Sequence, residues 1–247
     1  MGILINFEAI DSSGKKEQSA FLVRALAARG YAVGHMVLPD RPGDKEAPSN
    51  PTQHSTGKLI TDFIYGRLPL ILANDTLFRS TPISAFNEGE RVAIASIIEE
   101  KLFQVLQSVN RRETVFREGG LLDMLARYQV VVVERMLSAW AYGVAMGVSR
   151  VEINALEGDL PRPDFTILLD VDPAALRSNS HASYLEKKPE FRRLYGDLIK
   201  EDLTEANREG RPARWLRLDA AVDEETLGAQ VLEAVLPLLP GPAAKRR

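Results

Sequence analysis

The 247-residue chain contains no cysteine. That absence excludes disulfides, thiolate nucleophiles and thiolate metal sites, and leaves any metal chemistry to oxygen and imidazole ligands. Imidazole is itself scarce: His35, His54 and His181 are dispersed along the chain, which favours surface or packing roles over a histidine metal site. An excess of one charge is missing too. The 31 Lys and Arg nearly balance the 34 Asp and Glu, a formal charge of -3, so no whole-protein field favours a nucleic-acid polymer or an anionic membrane. Apolar runs do not exceed strand length, which argues against a membrane span. Met1-Gly2-Ile3-Leu4-Ile5-Asn6 carries no cationic leader, so the expected location is the cytoplasm. What is present, 45% hydrophobic and 26% charged residues, is the composition of an ordinary globular protein.

Short runs rich in β-branched and aromatic residues alternate with amphipathic stretches. Ile3 to Phe7, Tyr31 to Leu38, Val130 to Val133, Phe165 to Val171 and Trp215 to Leu218 read as buried strands. Lys15 to Arg29 reads as a helix with Phe21, Leu22 and Leu26 on one face and Gly30 as its stop. Arg91 to Val109 sets Ile94, Ile98, Leu102, Val105, Leu106 and Val109 at helical spacing, which predicts a long core-facing helix. Further helices fit Thr56 to Tyr65, Thr114 to Tyr128, Ser138 to Met146, Pro189 to Glu205 and Glu224 to Leu236. This order predicts an α/β fold, a mostly parallel sheet with helices on both faces. No linker divides the chain, so residues 1–240 are expected to form one domain followed by a frayed tail at 241–247. The stretches Pro39 to Pro51 and Arg67 to Asn87 read as long functional loops.

The segment with the clearest chemistry is Asn6-Phe7-Glu8-Ala9-Ile10-Asp11-Ser12-Ser13-Gly14-Lys15-Lys16-Glu17, a strand, a turn of small residues and a helix start. Unpaired amides and the helix dipole attract phosphate there, and the Lys15 ammonium adds a point charge. The segment departs twice from the G-x-x-x-x-G-K-[ST] pattern: Ala9 replaces the first glycine, and Lys16 replaces the hydroxyl residue that would meet Mg²⁺.

Phe7 to Lys15 resembles the P-loop of thymidylate kinases, and five more segments follow in that family's order. Leu38-Pro39-Asp40-Arg41, with Ser55-Thr56-Gly57-Lys58 after it, resembles the loop and helix after the second strand. Asn110-Arg111 resembles the family's base-reading pair. Glu134-Arg135-Met136, Ser138 and Ala141-Tyr142 are similar to the Asp-Arg-Tyr/His motif and its continuation. Pro163-Asp164 with Leu169-Asp170-Val171 resembles the fourth strand, and Leu218-Asp219-Ala220 the adenine-side loop.

The resemblance implies a P-loop NTPase-type three-layer fold with a five-stranded parallel sheet in the order 2-3-1-4-5, a lid near 177–190 and an insertion near 67–90. It also implies ATP and Mg²⁺ as cofactors, a nucleotide monophosphate as substrate, and a homodimer. On the ATP side it implicates Ser12, Ser13, Gly14, Lys15, Lys16, Glu17, Arg177, Asp219 and Ala220, and on the acceptor side Asp40, Arg41, Gln107, Arg111, Ser138 and Tyr142. Lys15, Arg135, Asp11 and Glu134 would be catalytic, with Asp11 and Glu134 holding the metal.

The departures cluster at the metal and base positions. Glu134 stands where Asp is usual, Met136 where an aromatic or His is usual, and Gln107 where many relatives stack a Phe. Three readings follow: a kinase for a pyrimidine monophosphate, most simply dTMP; a degenerate nucleotide-binding module with a regulatory or interaction role; or a P-loop kinase for another small acceptor. Arg111 has its own alternative, as one of several surface arginines near a helix end.

Overall fold

The computed structural model describes residues 1–10, 13–38, 104–145, 147–172 and 189–241. Asp11, Ser12, Asp40, Arg41 and Arg177, the Thr56 to Tyr65 helix, the 67–90 insertion and most of the 177–190 lid lie outside the described residues.

Five strands, β1 (Ile3–Ala9), β2 (Val33–Val37), β3 (Val130–Glu134), β4 (Phe165–Asp170) and β5 (Trp215–Asp219), form one sheet in the order β2-β3-β1-β4-β5. Every neighbouring pair is parallel, with Phe7 opposite Glu134 on one side of β1 and Ile167 on the other. Helix α1 spans Lys15–Ala28, α2 residues 104–116, α3 Leu121–Arg127, α4 Ser138–Ala145, α5 Arg150–Glu157, α6 Pro189–Glu209 and α7 Glu224–Val235. Among the described residues no helix is long and apolar enough to cross a membrane.

The period-two alternation of the strands divides the core. Ile5, Phe7, Val130, Val132, Ile167 and Leu169 face Leu22 and Leu26 of α1 and Leu227, Val231 and Val235 of α7. On the opposite face Leu4, Val131 and Val133 pack on Val115 of α2 and Leu121 and Leu125 of α3, while Leu168 meets Ala141 of α4 and Leu194 and Tyr195 of α6. Burial on both faces explains why the strands read as near-continuous apolar runs.

Three details differ from the sequence expectation. Thr114 to Tyr128 is not one helix: α2 ends at 116, and the chain turns through Gly119, at φ 70, before α3 begins. Val105 and Val109, expected in the core, are 40% and 42% exposed, while Gln104, Ser108, Asn110 and Arg111 of the same helix are buried. These two valines therefore face outward while polar residues of α2 and Val115 face inward; Ile94, Ile98 and Leu102 of the expected helix lie outside the described residues. Helix α5 is an addition to the expected helices, although Ser149 and Glu152 form the reciprocal capping box that marks its start.

Candidate active site

In a parallel sheet every strand ends at the same edge, and ligands of open α/β folds bind outside those C-terminal ends. β1 runs into the small-residue turn and α1, and neighbouring β3 ends at Glu134. Gly14 precedes α1 at φ 80, a left-handed conformation that suits glycine, and a Cβ at this position would project into open space. Among the described residues no side chain caps this helix start, which leaves its first amides to an anion. Ser13 is turned inward, donating to the carbonyl of Ile10 at 2.7 Å. Lys16 and Glu17 occupy the exposed side of the first turn, and Gln18 and Ser19 the buried side.

Period two puts Glu134 on the α1 face of the sheet. Lys15 Nζ lies 3.1 Å from Glu134 Oε2, Ser19 donates its hydroxyl to Oε1 at 2.6 Å, and His35 Nε2 of β2 stands 3.4 Å from the same oxygen. Burial alone would raise the Glu134 pKa. The His35 contact, the Lys15 charge and the Ser19 hydrogen bond outweigh it and hold the carboxyl at about 2, so Glu134 is ionised.

Arg135 follows at φ 63, a left-handed conformation unusual for a residue with a side chain, and is 8% exposed. The turn is fixed from below by β1. Arg135 N donates to Phe7 O at 2.9 Å, Met136 N to Asn6 Oδ1 at 3.0 Å and Leu137 N to Glu8 Oε1 at 2.6 Å. Glu8 is fully buried; Asn6 Nδ2 also donates to its Oε1, and Tyr195 of α6 donates to its Oε2 at 2.7 Å. One carboxylate thus ties the central strand, the Arg135 turn and α6.

A second polar cluster lies between α2, α4 and α5. Arg111 is 1% exposed, which excludes the surface-arginine reading. Its guanidinium pairs with Glu157 and donates to Ser138 Oγ at 3.2 Å, and Ser108 donates to Glu157 Oε1 at 2.6 Å. Gln107 is buried beside this group; its Oε1, both side-chain polar atoms of Gln104, and Arg111 Nε have no hydrogen-bond partner among the described residues. Tyr142 belongs to α4, but its side chain lies outside what is described. Asp219 and Ala220 sit at the end of β5, where Ala220 N donates to Asp170 O at 2.8 Å and Asp219 accepts from Ala221 N.

The structure therefore groups Gly14, Lys15, Glu134 and Arg135 at one edge, and Gln107, Arg111 and Ser138 in an adjoining cluster. Sequence reasoning missed Glu8, Ser19, His35, Glu157 and Tyr195. For Glu8 the signal was available: a carboxylate alternating with Asn6 inside a buried strand demands partners. Among the described residues no three His, Asp or Glu side chains converge to hold a metal.

No protein-family model matches the chain. A probable thymidylate kinase of Pyrobaculum aerophilum is 32% identical over 107 residues, 43% of this chain and 54% of that protein. A second probable thymidylate kinase, from Pyrococcus abyssi, is 29% identical over 171 residues, 69% of this chain and 65% of its own length. In three dimensions the chain superposes on the crystal structure of thymidylate kinase from Ehrlichia chaffeensis with a TM-score of 0.57 at 17% identity, covering 95% of this chain and 98% of the other. The chain is similar to thymidylate kinases in sequence over part of their length and in fold over nearly all of it. Its fold is the P-loop NTPase-type three-layer arrangement expected of that family, with the 2-3-1-4-5 sheet order. The matched regions span only 54% and 65% of the two curated relatives, and the departures from the thymidylate kinase pattern fall at Lys16, Glu134 and Met136.

Proposed function

We propose that the protein is a nucleoside-monophosphate kinase of the thymidylate-kinase type, which transfers the ATP γ-phosphate to a pyrimidine monophosphate, dTMP foremost. The observation that carries this reading is the convergence of Lys15, Glu134 and Arg135 beside an uncapped helix N-terminus. Phosphoryl transfer asks a protein for positioning and charge stabilisation rather than a covalent catalyst, and these groups supply both.

The donor nucleotide fits what is present. Gly14 leaves open the space a side chain would fill, and α1 offers its first amides. Lys15, with Ser12, Ser13 and Lys16, would bind the donor phosphates, Lys15 exchanging Glu134 for phosphate oxygen. Arg177, Asp219 and Ala220 would border the nucleotide on its other side. Mg²⁺ prefers hard oxygen ligands and keeps several waters. The ionised Glu134, with the Ser19 hydroxyl against it, meets that preference, and Asp11 would join them. Bound there, the ion would neutralise charge on the transferring phosphoryl group. Arg135, with Arg41 and Asp40, would hold the acceptor phosphate, a role suited to a planar guanidinium.

The acceptor base would lie against Gln107, Arg111, Ser138 and Tyr142. Buried polar atoms normally have partners; those that Gln104, Gln107 and Arg111 lack are what a base edge supplies. The reading extends to a cytoplasmic homodimer. Val105, Val109 and Phe116 form an exposed apolar stripe on α2 of the kind helix packing covers, and light scattering showing a monomer at micromolar concentration would remove that extension.

ADP release with Mg-ATP, measured across a panel of nucleoside monophosphates, tests the function. Turnover with dTMP at least tenfold above the other acceptors is expected. No stimulation by any nucleotide would leave the nucleotide-binding module as the better reading, and preference for a non-nucleotide would favour another acceptor.

A further inference from the structure

The active edge does not use a concavity on the α4–α6 side of the sheet. A cavity of about 220 Å³ opens there, reaching from Leu137 down to the starts of β4 and β5, the ends opposite the phosphate loop. Both tryptophans of the chain, Trp140 on α4 and Trp215 at the start of β5, line it. Each is braced: the Arg150 guanidinium sits 5.8 Å from the Trp140 ring centroid, and Tyr195 packs at 60° and 6.2 Å against Trp215.

The charges lining the cavity are unequally satisfied. Every carboxylate on the wall is in an ion pair: Glu157 holds Arg111, Glu201 holds Arg150, and Asp202 and Glu205 share Arg211 with Glu209. Arg162 and Arg214, also on the wall, have no ion-pair partner among the described residues. Their backbones are nonetheless fixed. Thr166 N donates to the Arg214 carbonyl at 2.7 Å and Arg214 N to Asp202 at 2.6 Å, while Arg162 directly precedes the Pro163-Asp164 pair, whose Asp164 is bonded twice to Leu4. Two uncommitted guanidiniums beside two braced indole rings form a surface that attracts an anionic group and a flat ring together.

We infer that this cavity is a second ligand site, which takes a small planar aromatic anion: one ring against Trp140 and Trp215, with its carboxylate or phosphate on Arg162 and Arg214. The volume suits a single ring system rather than a nucleoside triphosphate, whose proposed place is the opposite edge. Glu157 belongs both to this wall and to the Arg111 cluster, so the two sites share one residue.

Because both tryptophans line the cavity, their emission reports its occupancy directly. The intact protein is titrated with benzoate and, separately, with phenyl phosphate, with cyclohexanecarboxylate and inorganic phosphate as controls for the flat ring and the bare anion. Saturable quenching with a Kd at or below ~1 mM is expected for at least one aromatic probe and neither control. The better probe identifies the head group the site prefers. In Arg162→Ala/Arg214→Ala, two exposed positions whose truncation spares the core, affinity should fall about tenfold or more, the loss of charge-assisted hydrogen bonds. Lys15→Ala/Glu134→Gln, which strands no charge, should leave the titration unchanged. Absence of saturable quenching, full affinity in the Arg162→Ala/Arg214→Ala variant, or loss of binding in Lys15→Ala/Glu134→Gln would overturn the inference. The readout is binding rather than turnover, so kinase activity and this site stand or fall separately.

Discussion

Lys15 Nζ and Glu134 Oε2 are 3.1 Å apart, so the cation at the start of α1 and the carboxylate at the end of β3 neutralise each other. This pairing couples the proposed chemistry to stability, because any group that recruits Lys15 must leave Glu134 to His35, Ser19 and an incoming cation. Lys15→Ala should reduce ADP release at least a hundredfold. It should also destabilise the fold by about 3 kcal/mol, since truncating one partner strands the other charge in a buried site. Urea unfolding at neutral pH checks the second effect. In Lys15→Ala/Glu134→Gln, where no charge is stranded, most of the lost stability should return while activity stays absent.

The same carboxylate sets an acid limit. With its pKa held at about 2 in the fold against an ordinary 4.5, Glu134 binds fewer protons folded than unfolded, so it favours the fold above pH 4.5 and that contribution disappears as pH falls towards 2. A shift of this size corresponds to about 3 kcal/mol. Urea midpoints at pH 6, 4 and 2.5 should fall more steeply in the wild type than in Glu134→Gln. Equal slopes would show that the Lys15, Ser19 and His35 contacts do not depress this group.

Much of the fold was legible in the sequence because the sheet is buried on both faces. Apolar runs mark all five strands to within two residues at either end, and Gly30 stops α1 as expected. The candidate site was legible where local order alone places a residue at the strand-end edge, as with Lys15 after Gly14 and Arg135 after a buried strand. It was illegible where partners come from distant elements. Ser19 looks like an ordinary helix residue and His35 like an isolated histidine until parallel pairing brings β2 beside β3 and α1 above both. Val105 and Val109 show the limit of periodicity, which identifies a helical stripe without saying whether it faces the core or the outside.

Tyr195 makes a further prediction. Its hydroxyl donates to Glu8 Oε2 at 2.7 Å inside the core. Tyr195→Phe keeps the ring and removes only that donor, leaving a buried carboxylate oxygen unpartnered at about 1–3 kcal/mol. Because Glu8 Oε1 holds Leu137 N, the Arg135 turn should loosen as well. Turnover should fall severalfold, and hydrogen exchange at Leu137 should quicken. Unchanged exchange with the expected stability loss would confine Tyr195 to packing.

Arg111 and Glu157 are each almost fully buried, so each single truncation strands a charge. Arg111→Ala and Glu157→Ala should each cost about 3–5 kcal/mol, whereas Arg111→Met/Glu157→Leu should lie much closer to wild type. A double-mutant cycle by urea unfolding measures the coupling, and additive single effects would show the pair to be independent. Acceptor preference adds a functional readout. If Arg111 reads the base, the apolar pair should keep ATP affinity while losing discrimination among monophosphates.

Arg135 combines an unfavourable backbone conformation with a position between β3 and the Glu8-anchored turn, a combination that the proposed role at the acceptor phosphate would explain. Arg135→Gly removes the conformational strain together with the guanidinium. The two effects act oppositely on the fold, since glycine accepts φ 63 without a Cβ penalty but gives up whatever the buried side chain contacts. Net stability should stay within about 1 kcal/mol of wild type, while transfer to the acceptor falls at least a hundredfold. Arg135→Lys separates charge from shape: it keeps a cation but loses the planar fork, so activity should recover only in part. Stability measured by urea and ADP release measured on the same preparations decide the matter, and a fully active Arg135→Gly would remove this residue from the acceptor phosphate.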